Sequence, residues 1–139
     1  MIQSILLATD GSASAERAAD FAASLATRHG AKVTVLHAFT PVSSYLGEPN
    51  YSRKLYKTLD EAKSLVVHVA KRLRAHDLTT GSLIREGRPV KVILEKAGVL
   101  SADLIVIGAC GRTRSGPFRM GDVAQKVVKY DRCSVLVVR

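Results

Sequence analysis

Tryptophan is absent, aromatic residues make up only 5% of the chain, and there are two cysteines. No stretch interleaves aromatic and basic residues, so the stacking platforms that hold single-stranded nucleic acid are missing. Cys110 and Cys133, in a chain without a secretion signal, predict reduced thiols in the cytosol. No apolar run approaches the ~20 residues of a membrane span. The first residues carry no basic segment before a short apolar run, and Asp10 follows at once, which predicts no signal peptide and a cytoplasmic protein. Acidic side chains are also scarce, with 12 Asp and Glu against 21 Lys and Arg and a net charge of +9. That excess fits two classes of partner, anionic small molecules and nucleic acid. Nothing beyond charge supports nucleic acid, so it is the weaker of the two.

What is present describes a single soluble globular domain spanning residues 1–139. With 139 residues, 47% of them hydrophobic, the chain can bury a core without disulfides. Ile2 and Ile5 to Ala8 read as a strand apolar on both faces, as a central parallel strand is. Ser12 or Ser14 is suited to cap the helix that follows. That helix carries Ala15, Ala18, Ala22, Leu25 and Ala26 at helical spacing and stops at Gly30. Lys32 to Phe39 predicts a second strand and Thr40 to Ser52 a loop. Leu55 to Leu73 keeps one apolar face as a long helix. Leu83 to Arg85 predicts a short strand. Pro89 opens a helix with Val90, Ile93, Leu94 and Ala97. Leu104 to Gly108 and Val135 to Val138 are the last two strands. Alternation of strand and helix predicts an α/β fold: a doubly wound, five-stranded parallel sheet, Rossmann-like, with helices on both faces. Ligands in such sheets lie beyond the carboxyl ends of the strands, where Asp10, Ala38 and Gly108 fall.

The segment between Gly108 and Tyr130 carries the chemistry. A buried strand ends, a loop with Gly108, Gly111, Gly116 and Gly121 follows, and a helix begins with Val123, Val127 and Val128 on one face. Glycine lets backbone N–H groups approach an anion closely, and a helix N-terminus adds unpaired donors and partial positive charge. Arg112, Arg114 and Arg119 add planar donors suited to phosphate. Asp122, with Gln125 three residues on, fits a capping-box pattern. The spacing is neither the dinucleotide fingerprint nor the P-loop pattern.

This stretch resembles the nucleotide-binding motif of the universal stress protein family, Gly-x-x-Gly, nine residues, Gly-Ser/Thr. The resemblance covers the chain: Ile5 to Ser12 looks like the family's first strand and turn, Val35 to Ala38 like its second strand, Gly87 to Ala97 like its third helix, and Cys133 to Arg139 like its last strand. It implies an adenine nucleotide as ligand: ATP, ADP or AMP. Asp10, with Thr9, would lie beside the adenosine, and the backbone of Ala38 would read the adenine edge. Gly108, Gly111, Arg112, Gly121, Asp122 and Val123 would surround ribose and phosphates. It also implies a homodimer through the C-terminal strand.

The chain departs from the motif at Asp122, where the family has Ser or Thr, and at Ala124, where many ATP-binding members carry a second hydroxyl. A carboxylate ~4–5 Å from a phosphate oxygen costs roughly 3–4 kcal/mol before screening at an effective dielectric of about 20. The expectation is therefore weakened ATP binding, which a bridging Mg²⁺ could offset. The alternative is a dimeric regulatory or scaffold protein that has lost the nucleotide. No catalytic residue is assigned, and the most expected of the chain is weak ATP hydrolysis. Cys110 has no adjacent base, His37 reads as a packed strand histidine, and His68 and His76 are too far apart on their helix to form a metal pair.

Overall fold

A computed structural model describes residues 1–111 and 120–139. The chain runs β1 (Ser4–Ala8), α1 (Ala13–His29), β2 (Lys32–Phe39), a 3₁₀ turn at Ser44–Leu46, α2 (Asn50–Arg74), β3 (Thr80–Glu86), α3 (Pro89–Val99), β4 (Leu104–Gly108), α4 (Asp122–Tyr130) and β5 (Ser134–Val138). The strands form one parallel sheet in the order β3-β2-β1-β4-β5. This is the predicted doubly wound fold, with β1 at the centre.

The central strands are largely apolar because each of their faces is covered. Ile5, Leu7, Val33, Val35 and Val106 point into one core with α1 and α2. Leu6, Leu36, Ile105 and Ile107 point into the other with α3 and α4. Every alanine of α1 from Ala15 on is buried, so that helix packs close to the sheet. Ser12 is its N-cap, accepting from the Ala15 N–H at 3.2 Å, and Gly30 ends it in the left-handed conformation. Arg72 ties α2 to α1 through Glu16 and Asp20.

Three boundaries differ from the sequence reading. β3 extends from Thr80 to Glu86, well beyond Leu83 to Arg85, because the neighbouring β2 pairs with it along its length. α2 begins at Asn50, inside the stretch read as loop, and its buried residues start only at Ala62. In α4 the buried positions are Ala124 and Val127, whereas Val128 is exposed. A nine-residue helix turns only an i, i+3 pair onto the sheet. Among the described residues no helix is long and apolar enough to cross a membrane.

Candidate functional site

β1 leads rightward through α1 to β2 and β3, whereas β4 and β5 lie on the opposite side of β1. The order therefore reverses between β1 and β4, and the crossovers leaving these two strands diverge. A crevice of about 270 Å³ opens there, at the carboxyl ends of β1, β2 and β4. Its volume is at the low end of the ~300–1,000 Å³ typical of ligand pockets. Every expected site residue that the structure describes lines it: Thr9, Asp10, Ala38, Gly108, Gly111, Gly121, Asp122 and Val123. Arg112, with Arg114 and Arg119, lies outside the described residues.

Asp10 serves its own turn and also faces the crevice. One carboxylate oxygen accepts the Ser12 N–H at 2.9 Å. The other lies against Gly111, so closely that a Cβ on that glycine would stand 3.2 Å from it. Thr9 is buried, and its carbonyl accepts from His37 Nδ1 at 2.8 Å. A carbonyl can only accept, so the proton is on Nδ1. His37 thus holds β2 to the end of β1. Ala38, near the end of β2, is half-buried and lines the crevice.

The glycines do different things. A Cβ on Gly108 would lie 2.5 Å from Ser14 Oγ and 2.7 Å from the Ala15 nitrogen. Gly108 is therefore required for the close approach of α1, a packing demand separate from any ligand. Gly121 donates its N–H to the Ala109 carbonyl at 2.5 Å, which draws the two ends of the loop together. Ala109 in turn donates to Val138 of β5 at 2.6 Å.

The capping-box expectation is corrected by the structure. The N-cap of α4 is Gly121, which has no side chain to offer, and Asp122 is the first helical residue, exposed to solvent. Gln125 donates to the Met120 carbonyl instead of closing a reciprocal box. The register is shifted by one because Gly121 is already anchored to Ala109 in extended backbone. Asp122 still lies in the first turn, where the helix dipole favours a carboxylate.

Sequence reasoning missed the apolar wall. Leu36, Ile93 and Ile107 form it, together with Pro89 at the start of α3. Pro89 was legible as a helix start, but only the sheet order brings that helix end to the crevice. The α3 terminus has no side-chain cap, and first-turn residues of α1, α3 and α4 (Ala15, Pro89 and Asp122) line the same space.

The universal stress protein family model matches residues 1–139. The chain belongs to the universal stress protein family. It is 41% identical over 143 residues to a universal stress protein of Thermus aquaticus encoded in the QAH/OAS sulfhydrylase 3′ region, covering 100% of both chains. The solved universal stress protein UspA from Lactobacillus plantarum superposes with a TM-score of 0.84 at 26% identity, covering 99% of this chain and 98% of that one. The universal stress protein from Archaeoglobus fulgidus in complex with dAMP shares the fold, with a TM-score of 0.76 at 23% identity over 100% and 98% of the two chains. Among the described residues of this family member, no three His, Cys, Asp or Glu side chains converge as metal ligands.

Proposed function

We propose that this universal stress protein binds an adenine nucleotide in the crevice, and that it prefers few phosphates to many. The observation that carries the reading is convergence. Thr9, Ala38, Gly108 and Gly121 are distant in sequence, yet all line one concavity at the switch point of the sheet. The wall formed by Leu36, Ile93 and Ile107 suits a purine face, and the backbone of Ala38, which lines the crevice, suits its hydrogen-bonding edge. The Asp10 carboxylate is an acceptor for ribose hydroxyls. Gly111, Gly121 and the N-terminus of α4 offer backbone donors to phosphate. The same-fold protein solved with dAMP supports the class of ligand by fold alone.

Asp122 sets the limit. Asp122 lines the crevice at the start of α4, so each added phosphate brings more like charge toward it. Mg²⁺ is commonly held by one or two carboxylates together with phosphate oxygens and water. Asp122 fits that role when a longer phosphate chain is bound. The output is conformational, or passes through a partner surface, rather than through a reaction.

β5 supports a homodimer. It is an edge strand, and its Val135, Leu136 and Val137 remain partly exposed, which leaves an apolar strand to pair with a second copy across a two-fold axis. The same feature favours the second reading, a dimeric scaffold without nucleotide. Calorimetry with AMP, ADP and ATP separates the two. The nucleotide reading expects saturable heat, strongest with AMP or ADP. No heat with any of the three, and none gained by Asp122→Ser, leaves the scaffold.

A further inference from the structure

Ser14 is the least expected polar residue near the crevice. It is 4% exposed and belongs to the first turn of α1, yet it does not cap that helix, since Ser12 does. Its hydroxyl reaches across to the root of the glycine loop. Ser14 Oγ donates to the Cys110 carbonyl at 2.7 Å and accepts the Cys110 N–H at 3.2 Å. One hydroxyl thus satisfies both backbone groups of one residue, as its donor and acceptor capacity allows. The absence of a side chain on Gly108 is what admits it, for a Cβ there would overlap Ser14 Oγ. Cys110 lies between Ala109, which accepts from Gly121, and Gly111, which faces Asp10.

We infer that Ser14 is a positioning residue for the phosphate end of the crevice, and this rests on the nucleotide reading above. It touches no ligand, and it is absent from the crevice lining. Its hydroxyl fixes the peptide planes on either side of Cys110, and so the direction of the Gly111 N–H. Without it, the part-buried N–H and carbonyl of Cys110 both lose the hydroxyl that holds them, and the loop root is less firmly oriented. Donors that must be re-ordered at each binding event contribute less to affinity. The adenosine end, built from Asp10, Ala38 and the apolar wall, is not tied to Ser14.

The test uses the full chain and two probes, AMP and adenosine, whose affinities are measured by calorimetry. Ser14→Ala is expected to weaken AMP about fivefold, the factor carried by one net hydrogen bond, and to leave adenosine unchanged. Ser14→Cys, with a weaker donor and acceptor, is expected to fall between. Ser12→Ala loses the α1 cap and the 3.4 Å contact of its hydroxyl with Ser14 Oγ but keeps both Ser14–Cys110 bonds, so it controls for general destabilisation and should leave the AMP-to-adenosine ratio unaltered. Equal loss for both probes, or no loss for either, overturns the inference. Amide hydrogen exchange at Cys110 and Gly111 needs no ligand: faster exchange in Ser14→Ala than in Ser12→Ala supports the tie, and equal exchange overturns it. If the unaltered chain binds neither probe, the nucleotide reading fails, while the exchange experiment still decides whether Ser14 orders the loop.

Discussion

Replacing Asp122 by Asn removes its charge while keeping its size, and replacing it by Ser also restores the hydroxyl of the family motif. Asp122 lines the crevice as the first residue of α4 and is exposed. In a dielectric of about 20, a like charge at ~4–5 Å costs roughly 3–4 kcal/mol. Exposure to water and salt reduces this toward the value in water, about 1 kcal/mol per unit of phosphate charge. Asp122→Asn is therefore expected to tighten ATP by about tenfold, equivalent to ~1.4 kcal/mol. The gain should be smaller for AMP and absent for adenosine. Asp122→Ser should match or exceed Asn, since its hydroxyl can donate to phosphate. Calorimetry at about 0.05 M and 1 M salt provides the check, because the Debye length shrinks to ~3 Å at 1 M. The advantage of the neutral variants should shrink with it. Removing the carboxylate from the first turn also forgoes a favourable dipole interaction of about 0.5 kcal/mol, so the ligand-free variants should melt about 2 °C lower. Unchanged or weaker ATP binding in both variants would refute the electrostatic reasoning.

Other substitutions probe the frame around the site. Gly108→Ala drives a Cβ into Ser14 and the backbone of Ala15 and should destabilise the fold by about 1–3 kcal/mol, as overpacking does, measured by denaturant unfolding. Among the described residues, Gly111→Ala meets only the Asp10 carboxylate at 3.2 Å and should cost less stability than Gly108→Ala in the same assay. Ala38→Leu should fill the crevice and abolish adenosine and AMP binding together, with folding preserved by circular dichroism. Asp103 accepts from the Gln3 and Ser4 N–H groups, and these two bonds lower its pKa. A lowered folded value means the stabilisation is present above the ordinary Asp pKa of about 3.9 and disappears as pH falls through the folded value. The melting-temperature gap between the unaltered chain and Asp103→Ala should thus be full at neutral pH and close in acid.

Legibility in the sequence followed burial. β1 and β4 are central, and their residues from Ile5 to Ala8 and Leu104 to Ile107 are buried on both faces, so their unbroken apolar runs announce them. β3 is an edge strand with no buried residue. Only Leu83 and Ile84 gave it a signal, while Gly81 and Ser82 pair with β2 without one. The start of α2, Asn50 to Ser52, was read as loop for the same reason, since no residue of that helix before Ala62 is fully buried. At the site, the glycine spacing pointed to the crevice, and Asp10 and Ala38 were placed by the ends of their strands. The tie from Ser14 to Cys110 was not legible. A serine in the first turn of a helix reads as local, and its partner is 96 residues away. The one-residue error at the α4 cap has a similar origin, because the hydrogen bond that fixes Gly121 reaches back to Ala109.

Backbone amide shifts recorded while AMP is titrated into the full chain test the central proposal most directly, since they report both whether the nucleotide binds and where. Saturable perturbations centred on Asp10, Ala38, Gly111 and Gly121, spreading to Val123, are the predicted result. An unperturbed spectrum at millimolar AMP, or shifts confined to residues remote from the carboxyl ends of β1, β2 and β4, would contradict it.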